Sequence, residues 1–278
     1  MLLEILTKLT SESLLSLYPV FVKNIGLPLH IQTWSRLFSY VIISILFIDY
    51  GFVTKMIMSS KGILLSFVTL AHIYTSYRGF QLLESGVAYS IFYLYPIMIL
   101  LMSGYNISPV MGLALLGVYL LSSDDKESFF KSEESKEKYN HEGLIMILLA
   151  GFTEAIIYFL VKDIKTFNNW NHIFISYFPA LMVLSYFLQT DIYSYLTQKN
   201  ALNTPMSWSI FINSTIGLLG YLLRFFAVSR LDTLLYAVLS YFGIVMSFLY
   251  GILLNGETIS LKKIAGALMI IFANYALL

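Results

Sequence analysis

Glu12 and Glu154 are the residues from which chemistry could be built. Each lies near the middle of an expected helix, and an ionised side chain at the centre of a bilayer costs about 2.5 kcal/mol or more. A carboxylate in low dielectric can take and release protons near neutral pH, so the pair offers a proton-coupling element or a cation-binding group. The structural alternative is neutralisation by a neighbouring base. Glu4, Lys8 and Glu12 follow at intervals of four on one helix face, which puts Lys8 within reach of Glu12. Arg36 and Arg224 are the embedded cations. Arg224, in Tyr221-Leu222-Leu223-Arg224-Phe225, has a planar fork suited to a carboxylate or phosphate on a substrate; a structural pair with Glu154 or Glu84 would serve it equally. Arg36 lies one turn into its helix, where a long side chain can also snorkel to the interface.

His72 stands beside Tyr74, Thr75, Ser76 and Tyr77. A lone histidine is more often a hydrogen-bonded packing residue than a ligand, and no carboxylate or second histidine at helical spacing joins it in a metal set. Tyr93 and Tyr241, with Tyr89, Tyr95 and Tyr236, could line a cavity that stacks on flat or apolar substrates, although tyrosine is also enriched at membrane interfaces. Asn213 is a candidate polar lining residue. Pro19, Pro96 and Pro179 should loosen their helices locally. No catalytic signature is present: no Gly-Lys-Ser/Thr phosphate loop, no His-Glu-x-x-His, no Gly-x-Ser-x-Gly. Neither an enzyme activity nor a cofactor is expected.

The elements that must hold these groups are membrane helices. The chain has 278 residues, is 58% hydrophobic and only 12% charged, against roughly 25% charged in a soluble domain. Apolar runs long enough to cross about 30 Å of hydrocarbon recur along it. They are continuous rather than alternating, which excludes a barrel. Ten helices are expected, over residues 2–22, 32–48, 62–79, 85–102, 105–121, 143–161, 172–188, 208–228, 233–254 and 259–278, separated by turn chemistry such as Gly26-Leu27-Pro28, Asp49-Tyr50-Gly51 and Asn203-Thr204-Pro205. The first carries three charges, so an amphipathic helix on the membrane surface is its alternative. Those same charges break any signal-peptide core. There are no cysteines and no Lys/Arg stripe, which excludes thiolate chemistry and drops nucleic acid as a partner. Lys and Arg divide evenly between the two faces, so charge leaves the orientation open.

The polar run Ser122–Glu142 holds seven carboxylates against four lysines and reads as a solvated strap between hydrophobic halves. The halves resemble each other. Trp34 to Tyr40 matches Trp170 to Tyr177, Leu83-Glu84 matches Leu231-Asp232, Tyr93 matches Tyr241, and Gly117-Val118-Tyr119 matches Ala273-Asn274-Tyr275. Five helices per copy is an odd number, so tandem copies enter the membrane from opposite sides. The expected fold is therefore all-α and polytopic, with ten transmembrane helices in two inverted repeats: residues 1–121 and 143–278, with 122–142 between them.

The chain resembles the drug/metabolite transporter superfamily, in particular its ten-helix permeases. The matching pieces are Tyr18-Pro19-Val20-Phe21-Val22-Lys23 leading to Arg36, Ala88 through Pro96, Phe226 through Asp232, and Gly256-Glu257-Thr258-Ile259-Ser260 followed by Gly266 through Ile270. Ser103-Gly104-Tyr105 stands where the first repeat would carry Gly-Glu. The resemblance implies a multipass carrier in the plasma membrane that exports or exchanges small metabolites. Its cavity would be lined by the first, third, fourth, sixth, eighth and ninth helices. The partners implied are a small-molecule substrate and the lipid bilayer, with a homodimer allowed. The rival readings are a nucleotide-sugar or sugar-phosphate exchanger using Arg224, Lys262 and Lys263, and a non-transporting scaffold or sensor whose centre is closed by apolar side chains.

Overall fold

The computed structural model describes residues 2–104, 109–122, 141–166, 168–197, 204–256 and 260–276. Most of the acidic strap, Tyr105 and Glu257 to Ile259 lie outside the described residues. The protein is all-helical, 87% helix, with no strand among the described residues.

The first half contains α1 (Leu2–Leu15), α2 (Tyr18–Asn24), α3 (Leu29–Ser44), α4 (Tyr50–Ile57), α5 (Ser60–Leu82), α6 (Ser85–Phe92), α7 (Tyr95–Met102) and α8 (Pro109–Ser122). The second contains α9 (His141–Asp163), α10 (Asn169–Leu196), α11 (Pro205–Ile212), a π-helical turn (Asn213–Gly217), α12 (Leu218–Arg230), α13 (Thr233–Ser240), α14 (Phe242–Asn255) and α15 (Leu261–Tyr275). Among the described residues, five stretches are long and apolar enough to span a bilayer: Ser85–Met102, His141–Asp163, Asn169–Leu196, Pro205–Arg230 and Thr233–Asn255. Joining α4 to α5 would give a sixth, but the two meet at 80°. Several of the remaining helices are shorter than the sequence suggests, because local chemistry breaks them, whereas α5 is longer than expected.

Proline causes two of the breaks. Pro19 opens α2 and Pro96 opens α7, each in the first turn, where its missing N–H costs nothing. Pro179 instead sits inside a continuous α10. The expected turn at Asp49-Tyr50-Gly51 is a helix start, since the Asp49 side chain accepts the Phe52 N–H at 3.1 Å and caps α4. Asn168, Thr204 and Asp232 cap α10, α11 and α13 in the same way. Gly104 and Gly256 follow α7 and α14 in the left-handed region, with φ of 84° and 63°, where glycine carries no steric penalty.

Two of the packed helix pairs run antiparallel. Along α5 and α9, Lys61 meets Asp163 at one end and Arg78 meets Glu142 at the other. Along α3 and α10, Trp34 donates to Ser185 at 2.8 Å, while Phe47 stacks on Trp170 at 4.6 Å. Glycines allow close approach: a Cβ at Gly117 of α8 would stand 2.6 Å from the Gly266 carbonyl of α15. Two pairs matched in the sequence repeat touch each other, Tyr40 with Tyr177 at 4.5 Å and Tyr93 with Tyr241 at 6.1 Å between ring centres. The outside is apolar, with Phe67, Tyr186, Phe187 and Leu253 all largely exposed, as a lipid-facing surface requires.

Candidate functional site

α1 is a core helix, not a surface one. Lys8, Ser11 and Glu12 are all fully buried, on the face that packs against α12 and α14. Ser11 ties the crossing by donating to the Gly220 carbonyl at 2.8 Å. Lys8 pairs with Glu12 one turn on, and its ammonium also sits 3.6 Å from the centre of the Tyr236 ring. Tyr93, at the break between α6 and α7, donates its hydroxyl to Glu12.

Arg224 of α12 reaches both carboxylates. One terminal nitrogen, Nη2, lies 3.0 and 3.2 Å from the Glu12 oxygens, and Nη1 lies 2.6 Å from Glu154 Oε1. Of the alternatives open at the sequence level, Glu154 is confirmed as a partner, while Glu84 pairs with Lys263 instead. His72 of α5 completes the cluster. Its Nδ1 lies 3.1 Å from the Ala150 carbonyl, which can only accept, so that nitrogen carries the proton. Its Nε2 then faces the Tyr221 hydroxyl at 3.2 Å and Glu154 Oε2 at 3.3 Å. Oε2 has no hydrogen bond of its own.

Arg36 does not snorkel. It is 2% exposed because α3 turns it inward onto aromatic rings. The rings of Tyr221, Tyr18, Tyr40, Tyr77 and Tyr177 stand 4.6 to 5.8 Å from its guanidinium carbon. Nη2 donates to the Tyr177 hydroxyl at 3.0 Å, and Nε has no partner. Among the described residues no carboxylate pairs with it. Asn213, at the start of the π-helical turn, accepts from Tyr18 at 2.8 Å and Tyr77 at 2.9 Å, and donates to Ser35 and Ser209. It is therefore the bracket of the cage rather than a wall of the cavity. The π geometry makes this fit: Gly217 packs directly against the Tyr18 and Tyr40 hydroxyls.

A cavity of about 20 Å³ lies between the two arginines. Arg36, Arg224, His72 and Ser76 give its polar wall, and Leu15, Phe80 and Phe92 its apolar one. Arg36 brings the second helix of the sequence scheme into the lining, which the resemblance did not imply. The sixth supplies Glu154 to the ion cluster, and the ninth does not reach the cavity wall. Of the five tyrosines expected there, Tyr89 lines the cavity. Tyr93 is taken by Glu12, Tyr95 donates to Ser240 at 2.9 Å, Tyr236 lies under Lys8, and the Tyr241 hydroxyl is buried without a partner. Sequence reasoning missed the roles of Tyr18, Tyr177 and Tyr221 around Arg36. The available signals were the place of Tyr221 three residues before Arg224 and the repeat match that ends at Tyr177.

Residues 141–278 match the EamA-like transporter family, part of the drug/metabolite transporter superfamily. A solved crystal structure is similar over 98% of this chain and 94% of its own, with a TM-score of 0.61 and 14% sequence identity. That likeness concerns the fold. No curated protein matches the sequence.

Proposed function

Since residues 141–278 belong to the EamA-like transporter family and the chain is an integral multipass membrane protein, we propose that it is a secondary transporter of small polar metabolites such as amino acids, resident in the plasma membrane. It works by alternating access between two inverted five-helix repeats, residues 1–121 and 143–278, joined by the strap at 122–142. The observation that carries this reading is the buried ion cluster. Glu12 comes from the first repeat, Glu154 and Arg224 from the second, and all three are at most 3% exposed beside a small cavity. Buried ion pairs are weak sources of stability, and intramembrane charges mark substrate or ion pathways.

Several contacts support the inverted arrangement. The ion pairs Lys61–Asp163, Arg78–Glu142 and Lys263–Glu84 join helix ends that ten alternating spans would bring to a common membrane face. The Tyr40–Tyr177 and Tyr93–Tyr241 contacts are those expected where equivalent residues meet on a two-fold axis. Gly104 and Gly256 end equivalent helices with the same backbone conformation.

Counterflow in preloaded proteoliposomes tests the reading. Amino acids should exchange, and Glu12→Gln should abolish exchange without removing the protein from the membrane. The nucleotide-sugar or sugar-phosphate alternative is favoured by the two arginines at one cavity, but one lysine it would use, Lys263, is engaged by Glu84. Nucleotide sugars in the same assay separate the two. The scaffold alternative called for apolar closure, and polar side chains surround both Glu12 and Glu154.

A further inference from the structure

The chemistry around Arg36 narrows what the cavity can recognise. The buried centre holds three cations, Lys8, Arg36 and Arg224, against two carboxylates, Glu12 and Glu154. With His72 neutral, one positive charge remains unbalanced, and it belongs to Arg36, since Arg224 and Lys8 already hold both carboxylates. Arg36 is shielded only by tyrosine faces, which attract a cation without neutralising it. Its Nε is buried and unpaired, as is the Nε of Arg224 across the same cavity. A buried donor left without an acceptor is costly, so an acceptor bearing one negative charge would complete the site.

We infer that the cavity recognises the carboxylate of an organic monoanion, received by Arg36, with the apolar body of the ligand against Leu15, Phe80 and Phe92. This rests on the transport reading and names its substrate class. A ligand ammonium meets no carboxylate in the cavity wall, because neither Glu12 nor Glu154 lines it and each is paired with Arg224 through at least one oxygen. An amino acid is therefore held by its acid end, and its amine is dispensable. A dianion would exceed the charge available. The present cavity holds about one water, so ligand entry requires it to widen.

The test is thermal unfolding of the purified full-length protein with matched concentrations of phenylacetate, lactate, phenylacetamide, phenethylamine and inorganic phosphate. Ligand binding to the folded form raises its melting temperature. Phenylacetate or lactate should raise it in a dose-dependent way, while the amide, the amine and phosphate should not. Arg36→Lys keeps the charge but loses the planar fork, and should weaken the carboxylate response by about tenfold or more. Arg36→Gln should remove it. Equal stabilisation by the amine or the amide overturns the inference, as does a response to phosphate alone or none to either acid. Should the Arg36 variants fail to fold, the selectivity series on the unaltered protein decides. Binding is read without flux, so the two readings fail separately. Amine-selective binding sinks the carboxylate site and spares transport, whereas a carboxylate that binds at Arg36 and never crosses preloaded vesicles does the reverse.

Discussion

Glu12 and Glu154, from opposite halves of the chain, are held by a single guanidinium, that of Arg224, at 3.0 Å and 2.6 Å. The cluster is compact because α1 and α9 each bring their carboxylate to α12, and it leaves Arg36 as the unbalanced charge nearby.

Arg224→Gln should be severely destabilising. Removing one partner of a buried pair costs about 3–5 kcal/mol, because the other charge stays buried. Thermal unfolding in detergent reads this. Adding Glu154→Gln to the same chain should recover part of the loss, since the two residues are in direct contact and their effects will not add.

Glu154→Gln alone should flatten the pH dependence of transport in proteoliposomes. Glu154 is faced by Arg224 and His72, with Lys8 on the far side of Glu12. His72→Gln is therefore measured alongside, to separate a titrating imidazole from a titrating carboxylate. A flux–pH curve that Glu154→Gln leaves unaltered would remove Glu154 from proton coupling.

Gly217→Ala should damage the cage around Arg36. An added Cβ overlaps the hydroxyls of Tyr18 and Tyr40, and overpacking of this kind costs about 1–3 kcal/mol. A lowered melting temperature is expected, partly restored by Tyr18→Phe, which removes one of the two overlapping hydroxyls.

The chain has no cysteine, so single cysteines introduced by substitution report their position without background. Under the inverted ten-span scheme, cysteines at Lys61 and Asp163 should react with an impermeant thiol reagent from one side of sealed vesicles. Cysteines at Arg78 and Glu142 should react from the opposite side. Labelling of all four from the same side would refute the scheme.

The long apolar segments were legible because hydropathy over a helix length is a strong local signal: Ser85–Met102 and Thr233–Asn255 appear nearly as the sequence suggests. The break at Tyr241 was not legible, since tyrosine does not forbid a helix and the kink follows from packing, whereas Pro96 marked the break at Leu94. α4 was hidden because Asp49 can cap a helix or close a turn with the same side chain. At the site, the pairing of Lys8 with Glu12 followed from spacing alone. The burial of Arg36 did not, because a snorkelling arginine and a caged one look the same in one helix. What distinguishes them is four tyrosines that come from other helices, α2, α5, α10 and α12, and only the tertiary fold assembles those.

The edge of the molecule is constructed separately from this charged centre. α8 and α15 close on each other at Gly117 and Gly266, and Ala114 and Ala273 belong to a small apolar cluster apart from the main one. A bulky side chain at Gly117 would wedge that pair apart while leaving Glu12, Glu154 and Arg224 untouched. Rigidity at the rim and chemistry in the middle are thus two separately adjustable properties of one chain.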